Sequence, residues 1–154
     1  MNLFGLMDVS GSALKAERVR AEVVASNMAN AETTRTEDGG PYRRHHVVFA
    51  ADGNGSFGSV LGSHVGSGFP SIMSSNAAAG GVSVAGVMQD ESVPLQRYDP
   101  GHPDAGPDGY VAYPDINPLT EMVDLMGATR SYGMNATAVQ AEKGMITASL
   151  DLLK

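Results

Sequence analysis

The sequence predicts an α+β protein: long N- and C-terminal helices that pair as a coiled coil, with a small β-rich module and a flexible Gly/Ser-rich loop between them. Three observations predict it. Residues 3 to 30 carry apolar side chains at alternating spacings of three and four, residues 117 to 153 carry a seven-residue repeat, and the stretch between them changes to period two, broken by Gly and Asp turns. The chain accordingly divides into an N-terminal helix (1–30), a β-rich middle module (31–116, with the flexible loop at 51–81) and a C-terminal helix (117–154).

In the N-terminal segment, Leu3, Met7, Ser10, Leu14, Glu17, Ala21, Val24 and Met28 form one helical stripe. A second strip of Val9, Ala13, Ala16, Val19 and Val23 lies beside it, so one neighbouring element does not satisfy the helix. The segment ends in "ASNMANAETT" (25–34). Asn is a poor interior helix residue and a good terminal one, so Asn27 and Asn30 mark where the helix stops.

The C-terminal segment has the cleaner repeat. Leu125, Tyr132, Val139, Ile146 and Leu153 recur every seven residues, and Met122, Thr129, Ala136, Lys143 and Leu150 lie three positions before each. Asn117 is the expected N-cap, Pro118 the first helical residue, and Glu121 an anion in the first turn where the helix dipole favours one. Such a helix spans about 50 Å at 1.5 Å per residue, longer than any face a small core offers. Gly127, Gly133 and Gly144 lie within it, each costing about 1 kcal/mol against Ala, and they fit either close helix packing or kinks.

Between the helices, "YRRHHVVFA" (42–50), "GGVSVAGVMQ" (80–89), "VPLQRYD" (93–99) and "GYVAYPDI" (109–116) read as strands, with "EDGGP" and "GPDG" as turns. Gly, Ser and Ala dominate 51–81, which reads as a flexible loop. A module this small does not cover two long helices. They are expected to pair with each other and to turn their outer faces to other subunits, with Leu14, Val24, Met28, Met122, Leu125, Tyr132, Val139, Ile146, Leu150 and Leu153 at the assembly interface.

Composition narrows the function. The formal net charge of −7 and only three Lys argue against a nucleic-acid surface. The absence of cysteine excludes a disulfide framework, thiol catalysis and Cys-ligated zinc. No basic leader with an apolar core opens the chain and no apolar run of about 20 residues occurs, so neither a removable signal peptide nor membrane insertion is expected.

Chemistry is scarce. "RRHH" (Arg43 to His46) is the densest cationic cluster, but adjacent strand residues point to opposite faces, so His45 and His46 do not converge on one ion. "DPGHPDAGPDG" (99–109) lacks calcium-loop spacing and reads as a Pro-stiffened turn. There is no HExxH, G-x-S-x-G or Walker loop, and Asp104 and Asp108 have no cleft assigned to them. No catalytic, cofactor or metal residue is assigned, and an enzyme is not expected.

Two long segments carry a resemblance. "SGSALKAERVRAEVVASNMANAETTRTEDGGPYRRHHVVF" (10–49) and "GYVAYPDINPLTEMVDLMGATRSYGMNATAVQAEKGMITASLDLLK" (109–154) resemble the two ends of bacterial flagellar basal-body rod proteins, most closely the proximal-rod subunit. The resemblance implies export through the flagellum's own type III apparatus without a cleaved signal. It further implies terminal helices forming the core of a periplasm-spanning tubular drive shaft, which passes torque from the membrane ring to the distal rod and hook. Implied partners are other copies, other rod subunits, and membrane-ring and export-apparatus components at the rod base. Asn27, Asn30, Arg130, Tyr132 and Asn135 match the family's signature positions and are thereby implied in the tube wall. Two alternatives stand beside this reading: another rod or hook-proximal axial protein, and a periplasmic cell-wall-acting enzyme.

Overall fold

The computed structural model describes residues 3–37, 39–52 and 80–152. In chain order the elements are α1 (Leu3–Ala29), β1 (His45–Asp52), β2 (Gly81–Gln89), β3 (Leu95–Tyr98), β4 (Tyr110–Tyr113) and α2 (Pro118–Asp151). The fold is α+β, as the change of hydrophobic period indicates. The loop expected at 51–81 falls almost wholly outside the described residues. Within those residues, no helix is long and apolar enough to cross a membrane.

Helix α2 starts where its sequence dictates. The Asn117 side chain accepts from the Leu119 N–H at 3.0 Å, filling one of the donors that the first helical turn leaves open, and Pro118 follows as the first helical residue. The helix then runs without interruption through Gly127, Gly133 and Gly144. A Cβ on any of these three glycines would meet nothing within 4 Å, so all three face open space and none marks a break.

The two helices run antiparallel, with the end of α1 at the start of α2: Asn27 bonds Glu121, and Arg20 reaches Asp124. Among the described elements, helix α2 packs on α1 alone. Helix α1 also packs on β1 and β2, held in part by Ser12, whose hydroxyl accepts from the Val82 N–H at 3.0 Å and donates to the Val9 carbonyl at 2.7 Å.

Among the described residues, two separate antiparallel strand pairs make up the β structure. β1 and β2 pair from His45 opposite Gln89 to Asp52 opposite Gly81, with a bulge after Val48. β3 and β4 pair as a hairpin from Leu95 opposite Tyr113 to Tyr98 opposite Tyr110, and among the described residues this hairpin's strands pack on neither helix. Its turn closes with the Asp99 N–H donating to the Gly109 carbonyl at 3.0 Å. Gly109 has φ +75°, and a Cβ there would stand 2.8 Å from the Tyr98 ring, so only glycine lets the ring lie over the turn.

The buried apolar set is short: Ala16, Val24, Val111, Ile116 and Ala128. The largest fully buried side chains are Glu121, Glu142, Val111 and Asn27, three of them polar. Among the described residues, the buried contact between the chain's ends thus combines small apolar side chains with the hydrogen-bonded Asn27 and Glu121.

Candidate assembly site

The densest polar construction lies where α1 ends, β1 begins and α2 starts. Asn27, in the last turn of α1, is 1% exposed. Its Nδ2 donates to the His45 carbonyl at 2.9 Å and to Glu121 Oε2 at 3.1 Å, while its Oδ1 accepts from the His45 N–H at 2.9 Å and the Tyr42 hydroxyl at 3.3 Å. One side-chain amide thus uses both donors and both acceptor sites. It serves the first residue of β1 as a neighbouring strand would, which lets the chain leave a helix and enter a sheet without stranded backbone groups.

Glu121 closes the junction from the other end of the chain. It is 1% exposed, and Arg44 Nε donates to its Oε1 at 2.6 Å. The Arg44 guanidinium also lies 3.8 Å from Asp124, and Arg20 approaches Asp124 from α1 at 3.6 Å. A buried carboxylate costs least when its charge is matched and its oxygens bonded, and Arg44 and Asn27 supply both. Residues far apart in sequence, 27, 44 and 121, thereby form one latch.

Asn30 finishes the helix end, its Nδ2 donating to the Ser26 carbonyl at 2.9 Å and its Oδ1 accepting from Thr33 at 3.2 Å. The chain beyond it is tied to the second hairpin by Asp104, which accepts from Thr34 at 2.8 Å and lies 3.7 Å from Arg35. His45 and His46 do diverge: His45 Nδ1 is 2.8 Å from the Tyr42 hydroxyl, and His46 is 3.4 Å from Asp90. The Ser92 N–H donating to Asp90, with His46 alongside, holds the Asp90 carboxyl below its ordinary range. Among the described residues, no group of three acidic or histidine side chains is placed to hold a metal ion.

The residues expected at the assembly interface fall into three sets. Val24 and Asn27 are buried; Leu14, Met28, Asn30, Leu125, Asn135, Val139 and Ile146 are half-buried; Met122, Arg130, Tyr132 and Leu150 are exposed. Leu153 lies outside the described residues. The deepest line on α2 is Glu121, Ala128, the half-buried Asn135 and Glu142, which keeps the seven-residue repeat but sits one residue before the Met122 to Lys143 line. The shift has a physical reason: Ala128 permits close approach of α1, and Glu121 is drawn inward by Arg44. Glu142 is 2% exposed, and neither of its carboxylate oxygens has a hydrogen-bond partner among the described residues.

Sequence reasoning assigned Glu121 only to the helix dipole and Arg44 only to a charged strand. No local pattern pairs them. A faint signal was present in the charge of Glu121 within the first turn of a helix whose neighbours at 124, 125 and 128 turn inward.

An amide and ion-pair junction joins the two chain ends, and α2 carries exposed apolar side chains along the side turned away from α1. The comparisons give the class. Residues 7–35 match the model of the flagella basal body rod protein family, and residues 108–152 match the C-terminal model of the flagellar basal body rod FlgEFG proteins. Over its full length the chain is 43% identical to the flagellar basal-body rod protein FlgC of Bacillus subtilis, with all of both chains covered. It is 37% identical to FlgC of Borreliella burgdorferi, covering 100% of this chain and 99% of that one, and 36% identical to FlgC of Salmonella typhimurium, covering 99% and 98%. The chain belongs to the flagellar basal-body rod protein family.

Proposed function

We propose that this chain, a structural subunit of the flagellar basal-body rod and not an enzyme, assembles through its terminal helices with other copies and with other rod subunits into a tubular shaft. The single observation behind this reading is the outer side of α2. Among the described elements the helix has one neighbour, yet Leu119, Val123, Met126, Met134 and Met145 stand exposed along its other side. Exposed apolar residues in this number along one element signal a surface that another protein covers.

In this reading the terminal helices pair as a coiled coil in the shaft's core, the three segments 1–30, 31–116 and 117–154 act as core helix, outer module and core helix, and the chain is exported without a cleaved signal. The residues expected at the interface divide accordingly: those half-buried beside α1 set the helix pair, and Met122, Arg130, Tyr132 and Leu150 meet neighbours. Torque from the membrane ring then passes through helix-to-helix contacts, which resist shear because close-packed side chains do not slide without losing contact.

Replacing Leu125, Val139 and Ile146 together by Asp tests the reading. Cells carrying that variant should build no complete rod and should not swim, while export of the chain persists. Rods assembled with the variant incorporated would overturn the helical interface.

A further inference from the structure

We infer that the β3–β4 hairpin of one copy docks on the outer face of α2 of a second copy, with Arg130 seated between Tyr98, Tyr110 and Asp108. The inference rests on the rod-subunit reading and names a contact within it.

The two surfaces are complementary, and among the described residues neither is used. On α2, Arg130 is exposed, has no carboxylate partner among the described residues and lies between Met126 and Met134, which are 57% and 60% exposed. On the hairpin, Tyr98 and Tyr110 face each other in register with ring centroids 5.4 Å apart in an edge-on arrangement, and are 65% and 51% exposed. Asp108, one residue before the turn glycine and two before Tyr110, is exposed and has no partner among the described residues. A hairpin end that carries an aromatic pair and a carboxylate two residues apart in sequence suits a guanidinium, which stacks on rings and pairs with carboxylates, and Met side chains adapt to rings well.

The contact cannot form within a chain. Arg130 lies about 20 Å along α2 from its start at 1.5 Å per residue, whereas among the described residues the hairpin's strands pack on neither helix and its turn is tied by Asp104 to Thr34 and Arg35, beyond the end of α1. A second copy displaced along the helix axis brings the surfaces together. Because the two surfaces differ, the contact is head-to-tail and repeats as an open helical array instead of closing as a two-fold dimer.

The chain has no cysteine, so introduced thiols report cleanly. Full-length copies carrying Pro107→Cys are co-expressed with copies carrying Gly127→Cys, basal bodies are purified, and a mild oxidant is applied. A disulfide joining the two copies is expected. Asp108→Arg or Arg130→Asp alone should lower its yield about tenfold or more, since like charges then face each other, and the two reversals together should restore it to within about threefold. Circular dichroism of each variant checks that α2 still forms. Failure of the disulfide in basal bodies that contain both copies overturns the inference alone, as does capture of a different rod subunit by a benzophenone attached at Gly127→Cys. A chain absent from basal bodies overturns the rod reading and the inference with it.

Discussion

The Asn27 carboxamide grips both backbone groups of His45, donating to its carbonyl and accepting from its N–H at 2.9 Å each. The last turn of α1 is thereby fastened to the first residue of β1 across the connecting segment 30–44. Asn27→Ala leaves the His45 pair and one Glu121 oxygen without their partner in a buried place. The expected loss is about 1–3 kcal/mol for each group left unsatisfied, read by urea denaturation. Asn27→Asp should do no better, because it places a second carboxylate against Glu121. An unchanged midpoint for both variants would remove the junction from the account of stability.

Arg44 and Glu121 form the buried half of the latch, so removing either alone should be worse than removing both. Arg44→Met strands the Glu121 charge and should cost about 3–5 kcal/mol, while Arg44→Met with Glu121→Leu should recover most of it. A double-mutant cycle measures the coupling. Additive losses would mean that the pair, despite its 2.6 Å bond, contributes nothing specific.

Glu142 runs the other way. A carboxyl group that is 2% exposed and has no hydrogen-bond partner among the described residues is expected to cost the helix pair stability. Glu142→Leu should therefore raise the stability of the isolated chain by about 1–3 kcal/mol, seen as a higher Tm. A lower Tm would show that the carboxylate finds a partner in solution. Rod assembly of the same variant then separates a cost confined to the monomer from a requirement of the assembled state.

Asp90 supplies a pH dependence with a definite sign. Its folded pKa lies below the ordinary 3.8, chiefly because the Ser92 N–H donates to it and secondarily because of His46. The stability it contributes is therefore fully present above about pH 4 and is lost as the pH falls through the lower folded value. Ser92→Pro removes the donor, and the Asp90 titration midpoint followed by carbon NMR should move up towards the ordinary value. His46→Ala should move it less.

Much of the fold was legible because its signals are local. Asn117 and Pro118 start α2 in sequence and in structure, since capping involves residues only a turn apart. The strands at 81–89 and 95–98 follow from period two and from Gly and Asp turns. The junction was not legible in the same way. "RRHH" announced a strand with charges, but nothing near Arg44 states that its partner is 77 residues away.

By itself, then, the sequence determined the element types, the cap of α2, the seven-residue repeat and the family, because each is written in residues close together or in a pattern carried along one segment. Only the tertiary structure decided which line of that repeat faces inward. Leu125 and Met122 are more apolar than Glu121, and hydrophobicity alone turns them to the seam. Arg44 and Asn27 reverse that order by offering Glu121 a matched charge and a donor, and Ala128 lets the helices close over it. A pairing between distant chain segments outweighs a local preference when it satisfies a charge that burial would otherwise leave bare.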